Sequence, residues 1–307
     1  MKKRLLAMLL TLCMVLSLLP MTALAADGPV AKIGKKEYET LEEAIAEAQG
    51  SDTITLLADV TEDVTVNKSV TIDGASKTYT GKMTLNKVNV TIENVNFEKG
   101  NIYKNKKTGV GGNFTIKNCT FDGQDLNDYA VNLGGTSTIV IEGVTAKDYG
   151  YGFLQVPASN TSISVKDVDI SNVNYGLKVD YSNGVTLENV NIDASVAGVL
   201  NSNYGKKTIT IKDSEIRILG TWTRNNITET TYVFEGTNSI DQFILDTDNN
   251  PSTDTLKLAA GATLTAPEGA NVTTDVIGYH VEYNDGTYQV VENARLLKSV
   301  IDRKSVV

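Results

Sequence analysis

The most constraining feature of this sequence is a phrase that returns six times at a nearly constant interval. Each copy alternates apolar and polar residues around a central Asn, Asp or Gly, and consecutive copies begin 24, 25, 24, 22 and 24 residues apart. The copies are VTIENVNF, FTIKNCTF, IVIEGVTA, ISVKDVDI, VTLENVNI and ITIKDSEI, which begin at Val90, Phe114, Ile139, Ile163, Val185 and Ile209. A steady period of this size is the signature of a repeat protein whose units stack on one another.

Each phrase predicts two short strands that meet at a sharp bend. Alternation of apolar and polar residues marks a strand with one buried face, and the alternation slips by one step at the central residue of each copy. Asn, Asp and Gly tolerate the left-handed backbone that a tight bend requires. The predicted bend column contains, in chain order, Gly74, Asn94, Asn118, Gly143, Asp167, Asn189, Asp213 and Gly236.

A third strand is predicted between the phrases, where YAVNL, YGFLQV, YGLKV and AGVLN occur. Three short strands per repeat, each pairing with its copies in the neighbouring repeats, describe a three-sided solenoid. We therefore expect an all-β parallel β-helix over residues 54–265, with about nine coils of about 24 residues each.

Both ends of the solenoid are predicted to be capped. An N-terminal cap over residues 26–53 contains TLEEAIAEAQG, whose apolar spacing predicts an amphipathic helix over 41–49, with Thr40 and Glu43 as a capping box. A C-terminal cap over residues 266–292 contains YHVEYNDGTYQVV, in which Asp-Gly between two alternating runs predicts a β-hairpin.

The repeat resembles a known architecture. Three strands per coil and an aligned Asn/Asp/Gly bend are similar to the right-handed parallel β-helix of the pectate-lyase-like superfamily and its asparagine ladder. The cap helix, followed by SDTITLLADV and KSVTIDG, also resembles modules of large surface proteins from gut Firmicutes. The resemblance covers roughly residues 54–265 and implies the fold, but a fold by itself does not imply an activity.

The N-terminal segment predicts export. A basic start, an apolar run over residues 5–19 and an A-x-A motif at 23–25 form a secretory signal peptide over residues 1–25. No later apolar run approaches the roughly 20 residues of a membrane helix, so we expect no membrane span in the mature chain. The mature protein is therefore expected to be secreted or extracellular, attached to the cell surface through a missing C-terminal region if it is attached.

The net charge argues against a nucleic-acid partner, and the cysteine count excludes an internal disulfide. The formal charge of −9 becomes −12 once the three basic residues of the signal segment are removed, and an acidic chain is a poor nucleic-acid binder. Cys119 is the one cysteine left after that removal, so no internal disulfide can form, and we expect a small buried side chain. We expect a monomer whose partners are polysaccharides or host or cell-wall glycans.

The tail, residues 293–307, extends beyond the predicted hairpin. Its last six residues, DRKSVV over 302–307, fit no strand or helix pattern. They can be encoded by a sequencing-adapter read, so we predict an artefact at 302–307 and an open frame that continues in the genome.

The first candidate site is aromatic. Tyr129, Tyr151 and Tyr175 each begin a predicted third strand, and Lys178 and Asp180 lie on the outside of the last of these strands. Aligned rings could form a sugar-stacking platform. Because the tyrosines share the parity of buried neighbours, an internal or corner stacking ladder is the alternative.

The second candidate site is a calcium loop, with carboxylate and amide oxygens from Asp246, Asp248, Asn250 and Asp254 in DTDNNPSTD. Calcium prefers several oxygen ligands on a compact loop. However, Pro251 and Lys257 stand where a helix–loop–helix calcium motif needs Gly and Glu, so a solvated acidic turn is the alternative.

No catalytic residue is assigned. Glycoside hydrolysis needs two carboxylates across a groove, and the outward column predicted for the third strand, Asn132, Leu154, Lys178 and Leu200, has none. His280, the single histidine, shows no partner carboxylate in the sequence pattern. We therefore expect a non-catalytic surface protein, adhesin-like or carbohydrate-contacting. The alternatives are a polysaccharide lyase or glycoside hydrolase with an unrecognised site, and a structural spacer within a larger surface protein.

Overall fold

The computed structural model describes residues 28–86, 88–104, 111–157, 161–180, 182–201, 205–221, 228–245 and 254–293, and forms a parallel β-solenoid with one helix. Residues 1–27, which include the predicted signal peptide, and the tail from 294 onward lie outside these residues. The helix is α1 (Leu41–Glu47). The strands are β1 (Ala31–Ile33), β2 (Lys36–Tyr38), β3 (Thr53–Leu56), β4 (Val64–Val66), β5 (Val70–Asp73), β6 (Thr78–Tyr79), β7 (Lys82–Leu85), β8 (Val90–Glu93), β9 (Asn96–Glu98), β10 (Asn101–Lys104), β11 (Asn113–Lys117), β12 (Thr120–Leu126), β13 (Tyr129–Leu133), β14 (Thr138–Tyr149), β15 (Gly152–Val156), β16 (Thr161–Val179), β17 (Ser182–Asn201), β18 (Gly205–Lys212), β19 (Glu215–Thr221), β20 (Thr228–Glu235), β21 (Thr237–Leu245), β22 (Thr255–Leu258), β23 (Thr263–Thr265), β24 (Val272–Thr273), β25 (Tyr279–Asn284) and β26 (Thr287–Glu292).

The strands stack into three faces, as the repeat predicts. The first face contains β3, β5, β8, β11, the starts of β14, β16 and β17, and then β18, β20, β22 and β24. The second face contains β6, β9, β12, the middle of β14, β16 and β17, and then β19, β21 and β23. The third face contains β4, β7, β10, β13, β15 and the ends of β16, β17, β19 and β21.

About seven turns have a parallel neighbour above and below on all three faces, which is fewer than the nine expected. The difference arises at the ends. The first turn has only an isolated bridge at Val60 on its second face, and among the described strands none follows β21 on the third face. The expected count included these incomplete turns.

The bend between the first and second faces is left-handed, as predicted. φ lies between 49° and 65° at Asn94, Asn118, Gly143, Asp167, Asn189, Asp213 and Gly236. The Asn189 Nδ2 donates to Asp167 Oδ1 at 2.7 Å, so these two bend side chains are hydrogen-bonded between neighbouring turns. Gly74 is the exception. Its N–H donates to the Glu93 carbonyl in register, but the left-handed residues of its bend are Ala75 and Ser76.

The interior is filled by columns of apolar side chains. One column consists of Ile72, Ile92, Ile116, Ile141, Val165, Leu187, Ile211, Phe234 and Leu258, all at most 2 % exposed. A second column begins with aromatic residues: the Phe97 and Phe121 rings stack with centroids 4.5 Å apart, and Phe153, which comes from the third face, meets Phe121 edge-on at 5.6 Å. Cys119 is buried, as predicted, and burial raises the pKa of its thiol to about 11.

The outside of the first face carries a column of charges that alternate in sign. In register from turn to turn stand Glu93, Lys117, Glu142, Lys166, Glu188, Lys212 and Glu235. Lys166 and Lys212 lie 3.6 Å and 3.1 Å from Glu188, and Lys212 and Lys166 lower the pKa of the Glu188 carboxyl. Opposite charges on adjacent strands favour this register over a shifted one.

The predicted caps are present at both ends. The apolar face of α1 (Leu41, Ala44 and Ile45) is buried, Thr40 caps its first turn through the Glu43 N–H, and Glu62 Oε1 accepts the Leu41 N–H. At the other end β25 and β26 form the predicted hairpin, and β26 pairs antiparallel with β23. Within the described residues no helix has the length and apolarity of a membrane span.

Candidate functional site

The three predicted tyrosines do not form one column. The strand register pairs Tyr129 with Gly152 and Gly152 with Tyr175, so Tyr151 lies one residue outside the column. Tyr129 is 7 % exposed, whereas Tyr151 is 47 % exposed. The corner-stacking alternative therefore fits Tyr129, and Tyr151 presents its ring to solvent.

Gly152 makes room for the ring of Tyr129. A Cβ at this position would lie 3.0 Å from Tyr129 Cε1 and 2.2 Å from the Tyr175 carbonyl oxygen. The Tyr129 and Tyr151 ring centroids are 5.9 Å apart at a tilt of 45°, within the range in which aromatic rings attract each other. Burial, with smaller contributions from Tyr175 and Asp180, raises the pKa of the Tyr129 hydroxyl.

The outward column beside these rings differs from the predicted one at a single position. Leu154 is fully buried and pairs with Leu177, and Gln155 takes the outward place. The prediction that Leu154 faces outward is therefore wrong. YGFLQV is one residue longer than YGLKV, and its extra residue, Tyr151, lies before the part of the strand that pairs, which moves Leu154 to the inside. The outward column in the structure is Asn132, Gln155, Lys178 and Leu200.

Polar groups lie on the same strands as the tyrosines. Asn132 Nδ2 donates to Gln155 Oε1 at 2.9 Å, and Lys178 Nζ lies 5.2 Å from the centre of the Tyr175 ring, in cation–π range. Asp180 lies two residues after Lys178, and its N–H donates to the Val156 carbonyl. We call the surface formed by Tyr129, Tyr151, Tyr175, Asn132, Gln155 and Lys178 the aromatic patch. It combines an exposed ring with amide and ammonium groups.

The calcium prediction falls mostly outside the described residues. Asp246, Asp248 and Asn250 are not among them. Asp254 is described, and its Oδ1 accepts the Thr230 N–H at 2.8 Å. In the part of the chain that the structure describes, no three His, Cys, Asp or Glu side chains are grouped as metal ligands would be.

A second surface, which the sequence reasoning missed, runs across the outside of the second face. Three adjoining cavities of about 480, 370 and 340 Å³ follow one another along it and share lining residues. Side chains from consecutive turns form its floor: Asp169, Asn191, Asp193, Glu215 and Arg217. We call this surface the second-face trough.

The trough is acidic and internally hydrogen-bonded. Arg217 Nη1 lies 2.9 Å from Asp193 Oδ1, and Asn191 Nδ2 donates to Asp169 Oδ1 at 3.4 Å. Along one rim, Asn174 Nδ2 donates to the Gly150 carbonyl at 2.6 Å. The signal in the sequence is the polar residue beside each buried one in the second half of every phrase, as in VDIS, VNID and SEIR.

His280 has a partner carboxylate after all. Its Nε2 lies 2.9 Å from Glu282 Oε1, and its Nδ1 lies 2.7 Å from Asn293 Oδ1. These groups stand on the outside of the terminal hairpin, and the side chains of His280 and Glu282 are both about half exposed. A general base needs a cleft that holds the substrate, so this geometry does not support a catalytic role.

Comparison with known proteins adds no relative: no family model, no curated protein and no solved structure matches the chain.

Proposed function

We propose that this protein is a secreted or cell-surface β-solenoid, related in architecture to the pectate-lyase-like superfamily, that contacts carbohydrate without catalysis. The aromatic patch is the contact surface. The observation that carries the proposal is the exposed ring of Tyr151, which directly precedes β15, the strand that carries the Gln155 amide hydrogen-bonded to Asn132.

The chemistry of the patch suits a sugar. A pyranose ring has an apolar face that packs on an aromatic ring, and hydroxyls at its edge that pair with amides and ammonium groups. Rigid aromatic anchors with polar neighbours carry much of the energy at binding surfaces. Tyr151 is held by its contact with the buried Tyr129 ring, so it loses little side-chain entropy when a ligand binds.

A glycan array tests the proposal. The chain beginning at Ala26 is screened first, and the dissociation constant of a bound oligosaccharide is then measured in solution. Tyr151→Ala should raise that constant about tenfold or more, equivalent to about 1.4 kcal/mol. The matched control is Tyr283→Ala, because Tyr283 has a comparable exposure on the terminal hairpin.

The outcomes separate the alternatives. Equal losses in both variants, or an unchanged dissociation constant in Tyr151→Ala, would contradict the aromatic patch. If the protein binds none of the glycans, the result would favour the structural-spacer alternative over carbohydrate contact.

A second candidate, a glycoside hydrolase, is favoured by the second-face trough. Asn191 pairs with Glu215 in the register, so Asp193 and Glu215 are diagonal neighbours on one outer surface. Diagonal neighbours lie roughly 7–8 Å apart, within the separation of the two carboxylates in inverting glycosidases. The test is the release of reducing ends from polysaccharides. Release that Glu215→Gln abolishes and Tyr151→Ala retains would establish this activity in place of simple binding.

A further inference from the structure

The terminal hairpin extends the second-face sheet beyond the end of the solenoid. β23 pairs with β26, and β26 pairs with β25, so β25 is the last described strand of this sheet along the stacking direction. Among the described residues, no strand pairs with the outer edge of β25. Tyr279 and Tyr283 on this strand are 41 % and 37 % exposed, and the neighbouring Ile277 is 97 % exposed.

The edge strands at the two ends of the described sheet, β2 and β25, differ in how they are protected against pairing with another chain. The N-terminal edge strand, β2, has three residues, and Lys36 on it forms an ion pair with Glu47. Short strands and lysines are the usual protection against edge-to-edge pairing. β25 has six residues and contains neither lysine nor proline, so it lacks both forms of protection.

Every second residue of β25 directs its backbone N–H and C=O towards the open edge of the sheet. The hairpin turn has two residues, Asp285 and Gly286, both with positive φ, and Asn284 pairs with Thr287 across it. In such a turn the closing pair is hydrogen-bonded and the pairs alternate from there. The N–H and C=O of Val281 and Tyr283 therefore point outward, together with the C=O of Tyr279. The Tyr279 N–H donates to the Val276 carbonyl.

The side chains of β25 are arranged symmetrically about Val281. The sequence Tyr-His-Val-Glu-Tyr places a tyrosine at each end, a histidine on one side of the valine and a glutamate on the other. If two copies pair antiparallel with Val281 opposite Val281, Tyr279 meets Tyr283 twice on one surface. On the other surface His280 meets Glu282 twice. Aromatic pairs and oppositely charged pairs are those that stabilise neighbouring strands.

We propose that β25 is an assembly edge whose partner is β25 of a second copy of this chain, paired antiparallel about Val281. The outward backbone groups are then opposite each other: the two Val281 residues exchange hydrogen bonds, and each Tyr283 N–H donates to a Tyr279 carbonyl. The result is an end-to-end dimer in which the second-face sheet continues from one solenoid into the other. Because the same patch is used on both copies, the contact closes at two chains and does not propagate into fibres. This inference replaces the expected monomer and is independent of carbohydrate binding.

The charge pattern gives the first test. Sedimentation of the chain beginning at Ala26 should show a monomer–dimer equilibrium that shifts to the dimer with rising concentration. His280→Glu places Glu opposite Glu at two positions and should raise the dissociation constant about tenfold or more. The double variant H280E/E282H restores a histidine opposite a glutamate at both positions and should recover the wild-type constant.

A cysteine at the symmetry centre gives the second test. Hydrogen-bonded antiparallel residues have Cα atoms about 5.5 Å apart, within the reach of a disulfide. Mild oxidation of Val281→Cys should therefore yield a covalent dimer. Gln289→Cys on β26 is the control, because Gln289 is exposed but lies inside the sheet. The other cysteine of the mature chain, Cys119, is buried.

The same experiments can overturn the proposal. A wild-type chain that stays monomeric up to its solubility limit contradicts it. So does a dimer that His280→Glu leaves unchanged, or cross-linking that is equal for the two cysteine variants. His280 is the single histidine, so in the wild-type chain and in the two cysteine variants its ring resonances report whether the hairpin is folded and whether they shift with concentration.

Discussion

Replacing Asn189 by Val should destabilise the solenoid by about 1–3 kcal/mol. Asn189 has φ 51°, and its Nδ2 donates to Asp167 Oδ1 at 2.7 Å. A left-handed backbone costs an ordinary L-residue about 1–2 kcal/mol, a cost that Asn partly avoids and a β-branched residue does not. Loss of a hydrogen bond adds about 0.5–1.5 kcal/mol. Both side chains are exposed, so water offsets part of the second contribution.

Equilibrium unfolding in urea measures this change, and a thermal melt gives a second reading. A loss of 1 kcal/mol corresponds to about 2–4 °C for a chain of this size, so we expect the melting temperature of Asn189→Val to fall by about 2–12 °C. Asn189→Gly keeps the left-handed preference and loses only the side chain, so it should cost less. The control is Thr186→Val, an exposed position on the extended part of the same strand. Equal stability of Asn189→Val and Thr186→Val would refute the bend argument.

Three further predictions follow from packing and charge. Phe121→Ala removes a buried ring that contacts the rings of both neighbouring turns, and should lower the free energy of unfolding by about 3–5 kcal/mol in urea titrations; a loss below that of Thr186→Val would contradict the aromatic column. Burial raises the pKa of the Cys119 thiol to about 11 from 9.0, so its contribution to stability is complete below about pH 9 and is lost as the pH rises towards 11. A thiol reagent should accordingly label Cys119 in urea but not in the native protein at pH 8, and native labelling at the same rate would contradict its burial. Glu188→Lys creates a row of three like charges on the first face and should lower the melting temperature at low salt, with the difference shrinking as salt rises; a salt-independent difference would exclude this cause.

The fold could be predicted because the repeat is a direct physical signal. Alternation marked the strands, and the slip in alternation marked the bend where Asn94, Asn118 and Asn189 have a left-handed backbone. Gly74 shows the limit of that reasoning. Glycine fits the predicted bend column at this position, but the left-handed backbone lies at Ala75 and Ser76. The turn count was overestimated because sequence similarity continues into end turns that lack a neighbour on one face.

The aromatic patch was predicted only in part. The prediction aligned the tyrosines as the first residues of the third strands, but the structure aligns Gly152 with Tyr129 and Tyr175. A shift of one residue changes which side chains face out, so Tyr151 is exposed and Leu154 is buried. The length difference between YGFLQV and YGLKV was the available signal. The second-face trough was missed because its floor comes from residues about one repeat apart, which become neighbours only after stacking.

The measurement that tests the stacked solenoid most directly is the set of distances between spin labels along one column of the first face. Thr71, Thr91 and Thr115 stand six, five and four turns before Thr210 in the register. At a strand spacing of about 4.8 Å, labels paired with Thr210 should be separated by about 29, 24 and 19 Å. A decrease by about one strand spacing per turn supports the parallel stack. Distances that do not fall in this order, as two antiparallel sheets packed face to face would give, contradict it.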